Sequence, residues 1–182
     1  MIEYLESHAR DCLTCLCNSI CWLWPHSSLC TLCTLPSGPG IGYWKDEEKC
    51  PSSYTLVGEK TKVCAQVQPV PKNFDDAESN CDLISGGSLI KANTSVIIDD
   101  INKLLRNTKI ESAWIGAKAI TQDGFSWVVD NSDVENVNFC PGFPSVPLSD
   151  TCLVQENGAA CWQNIDCTTL AKGYVCQVNP TS

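Results

Sequence analysis

From residue 50 onward, eight cysteines stand at long, irregular intervals: Cys50, Cys64, Cys81, Cys140, Cys152, Cys161, Cys167 and Cys176. An even set spaced this way reads as a disulfide framework. It implies an oxidising compartment and hence an extracellular address, because cytosolic thiols are kept reduced. Spacing alone does not choose among the roughly one hundred pairings that eight cysteines allow. At 182 residues the chain is long enough for one domain with a sizeable core plus an appendage.

Charge and histidine content remove several function classes. The formal net charge is −9, and no Lys/Arg cluster offsets it, which excludes a nucleic-acid backbone as partner. His8 and His26 both lie before residue 50. The cysteine-framed region therefore holds no Ser-His-Asp or Cys-His machinery and no His-based zinc site. Carboxylate-based hydrolysis survives this test, but nothing sets two carboxylates at the separation a glycosidase needs. The expectation is a non-enzymatic protein.

The composition shifts near residue 45. From Cys12 to Trp44 there is no Asp, Glu, Lys or Arg, and six cysteines fall in the stretch: Cys12, Cys15, Cys17, Cys21, Cys30 and Cys33. Three readings stay open for residues 1–49. The uncharged run suits targeting, or membrane association through residues 12–35, although Pro25 interrupts it and Glu3, Glu6 and Asp11 are the wrong sign for a signal leader. Cys12-x2-Cys15 and Cys30-x2-Cys33 have zinc-like spacing. The third reading is a disulfide-bonded or poorly ordered segment that ends in the turn-rich Pro36-Ser-Gly-Pro-Gly40. Anchoring or oligomerisation through this segment would make the protein a structural module.

Residues 50–178 read as one mixed α+β domain, followed by a tail at 179–182. Tyr54–Val57 and Lys62–Val67 form a predicted hairpin around Gly58. Asn73 is positioned to cap a helix running to about Leu83, with Phe74, Ala77, Cys81 and Ile84 at helical spacing and Gly86-Gly87 as its stop. A second helix is predicted over about Ser95 to Arg106, with Val96, Ile97, Ile101, Leu104 and Leu105 inward and Asn93, Thr94 or Ser95 as cap. Ala113–Ala117, Phe125–Val129, Cys152–Gln155 and Tyr174–Val178 read as strands. Residues 130–151 form a long loop rich in Asp, Asn, Ser and Pro, a kind of segment that is usually functional or disordered.

Several landmarks in this order resemble the C-type lectin-like domain in its long form. They are Cys50-Pro-Ser-Ser-Tyr with Cys64, Phe74-Asp-Asp-Ala-Glu-Ser-Asn-Cys81, Trp114-Ile-Gly116, Asn138-Phe-Cys-Pro-Gly-Phe-Pro-Ser145 and Tyr174-Val-Cys176. The resemblance implies two helices beside small antiparallel sheets, a long loop region, and the bridges Cys50–Cys64, Cys81–Cys176 and Cys152–Cys167. Cys140 and Cys161 are then left over and are expected to pair.

In sugar-binding members of this family, calcium sits beside a cis-proline and ligates vicinal hydroxyls. The matching positions here are Phe143, Pro144, Ser145, Asp150, Gln163 and Asn164, with Asp150 and Asn164 the residual metal candidates. A hard dication needs several oxygens and useful negative charge. The family pattern supplies three carboxylates where this chain keeps only Asp150, and Phe143 has no side-chain oxygen. The expectation is therefore no cofactor, with the Cys140–Cys161 crosslink ordering the loop in place of an ion. Asp130, Asp133, Glu135, Glu156 and Asp166 are weighed as a displaced ion site against the plainer reading of solvated loop carboxylates.

Trp114, Trp127 and Trp162 are expected in the core, while Phe143 is left open between burial and ligand stacking. Asn93-Thr94-Ser95 is an N-glycosylation tripeptide. Together these readings predict an extracellular recognition module for a glycan or a protein, secreted or at the cell surface. Calcium-dependent sugar binding at a degenerate site is the alternative within the same scaffold.

Overall fold

The computed structural model describes residues 48–121, 124–135 and 138–181. The targeting, membrane and metal readings of residues 12–35 lie outside these residues. Among the described residues, no helix is long and apolar enough to cross a membrane.

Eight strands join in one sheet: β1 (Thr55–Val57), β2 (Val63–Gln68), β3 (Ser88–Leu89), β4 (Ser112–Thr121), β5 (Gly124–Trp127), β6 (Thr151–Glu156), β7 (Trp162–Asp166) and β8 (Tyr174–Val178). The main path runs β1-β2-β8-β4-β6-β7, with β3 paired to β8 and β5 to β4. All pairs are antiparallel except β4 with β8, which meet in parallel at Trp114 and Tyr174. Beyond β8, Thr181 exchanges two backbone hydrogen bonds with Lys49 (2.8 and 2.9 Å), which brings the two ends of the domain together.

Side chains alternate across a strand with a period of two, so a strand buried on both faces needs apolar residues at successive positions. Ala113, Ile115, Leu153 and Val175 belong to one buried cluster, and Trp114, Cys152, Val154, Tyr174 and Cys176 to a second. The continuous apolar character of Ala113-Trp-Ile and Cys152-Leu-Val follows from this two-sided burial. Gly116 belongs to the same logic. A Cβ there would sit 2.6 Å from the Leu89 carbonyl oxygen, and the Gly116 N–H donates to the Ile90 carbonyl at 2.9 Å.

Each face is covered by one helix. α1 (Phe74–Cys81) is capped by Asn73, whose side chain accepts from the Asp76 N–H, and Asp75 and Asp76 in its first turn complement the helix dipole. Phe74, Ala77 and Cys81 are its buried residues. Phe74 meets Trp114 edge-on at 5.6 Å, and the Trp114 indole N–H donates to the Lys72 carbonyl at 2.8 Å. The predicted extension to Leu83 does not form. The helix ends at Cys81, so Ile84 leaves the periodic face and is 40% exposed, and Leu83 is 80% exposed.

The second helix, α2 (Ser95–Thr108), takes Thr94 as its cap and runs two residues beyond the predicted Arg106, with Lys109 closing it in the left-handed conformation. Ile97, Ile101 and Leu105 are buried as expected, while Val96 and Leu104 are half-buried. Ile98 and Asn102 complete the inward face. Asn102 is tolerated there because its Oδ1 accepts the Gly158 N–H at 2.9 Å.

Four disulfides staple this frame: Cys50–Cys64, Cys81–Cys176, Cys152–Cys167 and Cys140–Cys161. They are the three bridges the resemblance implies and the additional pair. Cys81–Cys176 joins the end of α1 to β8 over 95 residues of sequence. In the chain-entropy account a closed loop of that length stabilises by about 4–5 kcal/mol. Replacing both residues (Cys81→Ala with Cys176→Ala) is expected to lower unfolding free energy by about that amount, read by urea denaturation.

Candidate functional site

Of the site residues expected from the sequence, Ser145 and Asn164 meet where the 138–151 loop lies against β7. Two backbone bonds fasten the start of the loop: the Cys140 N–H donates to the Trp162 carbonyl (2.9 Å) and the Trp162 N–H to the Asn138 carbonyl (2.8 Å). The Cys140–Cys161 bridge adds a covalent tie at the same level. The chain then turns through Gly142, at φ +87°, with the Phe143 N–H donating to the Cys140 carbonyl at 3.0 Å. The Phe143–Pro144 and Val146–Pro147 peptide bonds are both cis.

Asn164 fixes the middle of the loop. It is 2% exposed and points inward from β7. Its Oδ1 accepts the Ser145 N–H at 2.7 Å, with the Ser145 hydroxyl at 3.3 Å, while its Nδ2 donates to the Ser145 carbonyl at 2.8 Å. The side-chain amide thus pairs with one loop residue as a backbone strand partner would. Nδ2 also lies 3.3 Å from Thr151 Oγ1, and that hydroxyl donates to the Leu148 carbonyl at 2.6 Å. The Cys167 N–H holds the end of the loop through the Asp150 carbonyl at 3.0 Å. Thr151 closes this network, yet nothing in the sequence singles it out except its place beside Cys152.

The donors do not fit the ion that the family resemblance brings to these positions. Phe143, half-buried, brings no oxygen. The carbonyl oxygen of Asn164 is already committed to Ser145. Asp150 supplies one carboxylate, from an exposed position with φ 60°. A calcium ion takes about six to eight oxygens, and its affinity rises with ligand charge.

The displaced site weighed from the other acidic residues is not assembled either: among the described residues, no group of three or more His, Cys, Asp or Glu side chains could hold a metal. Asp166 accepts from the Thr168 N–H (2.8 Å) and hydroxyl (2.6 Å), which hold its carboxyl below the usual range. Burial, and then the neighbouring Glu111 charge, push Glu156 up. Asp130 pairs with Lys91 at 2.6 Å and accepts from the Ser132 hydroxyl (2.7 Å) and N–H (3.1 Å). The Lys91 ammonium foremost, then Ser132, bring Asp130 down to about 2. Trp114, Trp127 and Trp162 are buried core residues, with Trp127 and Trp162 edge-on at 6.0 Å.

A disulfide-stapled sheet covered by one helix on each face, with a long loop folded against β7, is the architecture of the lectin class suggested by the sequence. Residues 70–178 match the family model of the lectin C-type domain, and the chain belongs to that family. It is 30% identical over 121 residues to a type-2 ice-structuring protein from Brachyopsis segaliensis, an alignment covering 65% of this chain and 66% of that protein. The match therefore spans slightly under two thirds of the curated relative. Among solved structures, a calcium-independent type II antifreeze protein superimposes with a TM-score of 0.63 at 25% identity, covering 74% of this chain and 97% of that one. The cow C-type carbohydrate-recognition domain of CD23, crystallised in the presence of GlcNAc2Man3 oligosaccharide, gives a TM-score of 0.62 at 23% identity, covering 74% and 99%.

Two measurements check this geometry. Asn164→Ala removes both halves of the amide pair and is expected to cost about 1–3 kcal/mol in denaturant unfolding, with faster amide exchange at Ser145. For Asp130, whose carboxyl is depressed in the folded state, the ion pair's contribution is fully present above the unfolded value of about 3.9 and fades as pH falls toward about 2. Exposure to solvent keeps that contribution small. Carboxyl NMR is expected to place the Asp130 midpoint near 2 and to return it toward the ordinary Asp range in Lys91→Ala.

Proposed function

We propose that the domain is a non-enzymatic extracellular recognition module that takes a glycan or an extracellular protein without the calcium-dependent sugar site. The observation that carries this reading is the commitment of Asn164 to Ser145. A residue at a metal-ligand position of the family pattern here orders the loop directly, and Phe143 replaces the adjacent carboxylate. The disulfide and the amide pair do for the loop what an ion does elsewhere. Four disulfides suit an oxidising extracellular setting. The similarity to a calcium-independent antifreeze protein supports the ion-free half of the proposal.

The recognising surface is the loop between Cys140 and Asp150. It presents Val146, 84% exposed, beside Pro144, Ser145 and Pro147, and Phe143 is half-buried. Exposed apolar side chains on a segment already held in place lose little conformational freedom on binding, which favours affinity. A second reading, recognition of an ice surface, is favoured by the 30% identity to an ice-structuring protein.

Calcium titration by calorimetry and thermal melts with and without chelator test the ion-free reading. No binding heat and an unchanged melting temperature are expected. A bound ion at one hundred times its Kd would add about 2.7 kcal/mol, so a large chelator-sensitive rise would sink the proposal. Glycan arrays and extracellular-protein screens, run in chelator, identify the ligand class. Phe143→Ala and Val146→Asp are each expected to weaken the hit about tenfold or more while leaving the melting temperature of the free domain near its starting value. Thermal hysteresis in the native protein, lost in Val146→Asp, would instead select the ice reading.

A further inference from the structure

We propose that Asn93 carries an N-linked glycan whose first sugar residue lies in a polar cavity on the domain surface, lined by no residue of the 138–151 loop. Asn93-Thr94-Ser95 is the one Asn-x-Ser/Thr tripeptide in the chain without proline in the middle; Asn179-Pro180-Thr181 is blocked by Pro180. The obvious structural role for an Asn at this point is to cap α2. That role is filled by Thr94, whose Oγ1 accepts the Ile97 N–H at 3.2 Å. Thr94 and Ser95 are exposed, and Asn93 is half-buried at the rim of the fold.

Asn93 lines a cavity of about 250 Å3 together with Lys91, Trp127, Ser132, Asp133 and Glu135. This is below the range of about 300–1,000 Å3 that encloses drug-sized ligands, and it suits a single sugar ring tethered at its edge. The lining suits the hydroxyls of such a ring, because its accessible groups are mainly polar. Trp127 borders the cavity but is 1% exposed. Lys91 is held in position by Asp130 (2.6 Å) and Ser132 (2.7 Å), and Asp133 and Glu135 bring carboxylate acceptors. The cavity wall at 132–134 is itself ordered: the Trp127 N–H donates to the Ser132 carbonyl and the Val134 N–H to the Phe125 carbonyl, both at 2.9 Å. A chain that forms four disulfides passes through an oxidising compartment, where Asn-linked modification of a secreted protein is expected.

The test uses the full chain secreted from a eukaryotic host. Intact mass and peptide mapping are compared before and after a glycosidase that releases Asn-linked glycans and leaves Asp at position 93. Ser95→Ala, an exposed change that keeps Asn93 itself, controls for the acceptor tripeptide. The expected result is a glycan on Asn93 in the native chain and none in Ser95→Ala. Unmodified Asn93 in the secreted native protein overturns the proposal. Hydrogen exchange over residues 130–135 then tests where the sugar lies. Slower exchange in the glycosylated protein than in the enzymatically released form supports seating in the cavity, and equal rates overturn it.

Discussion

Strands β4, β6 and β8 present no face to water over their central residues. Trp114, Val154 and Tyr174 pack under α1, while Ile115, Leu153 and Val175 pack under α2. The other described elements of the domain are arranged around that two-sided burial. It holds α1 and α2 on opposite faces and forces glycine at position 116, where the β3 backbone crosses close by. It also sets β6 and β7 as the rigid floor for the loop between residues 138 and 151. Three of the disulfides reinforce the same frame: Cys81–Cys176 ties α1 to β8, Cys152–Cys167 ties β6 to the end of β7, and Cys50–Cys64 closes the amino-terminal hairpin.

The candidate site adds a different kind of order. A loop crossed by a metal ion is fixed by a few strong, charge-dependent bonds to oxygen. This loop is fixed by one covalent bridge at its start, an amide pair at its centre and a backbone bond at its end. None of these depends on the concentration of an ion. The charge that would repel itself in an ion-free site is also missing, because Phe143 and Asn164 stand where the family pattern carries carboxylates.

The parts of the fold legible from the sequence were those whose inward positions are mostly apolar. α1 and α2 follow from helical period and the central strands from short apolar runs, and their ends shift by a few residues because caps and turns are set by hydrogen bonds. Strand β7 escaped that reading. Its inward residues are Trp162 and Asn164, and an inward Asn destroys the alternation that marks a strand. Asn102 in α2 and Gln155 in β6 hide in the same way. Each is buried because a distant partner meets it: the Gly158 N–H for Asn102, and the Ile98 carbonyl for Gln155. At the other extreme, Ile84 carries the right spacing for the core and lies outside it, since the helix stops one turn earlier.

The sequence by itself determined the cysteine framework, the α+β class, the family landmarks and the thinning of negative charge at the calcium positions. These are properties of residue type and order, and they need no knowledge of which residues meet. Only the tertiary structure decided that Asn164 spends both halves of its amide on Ser145 and that Asn93 borders a polar cavity beside Ser132, Asp133 and Glu135. Those facts depend on hydrogen bonds and packing between segments far apart in the chain. Such pairings are set when the sheet closes, and no local pattern records them.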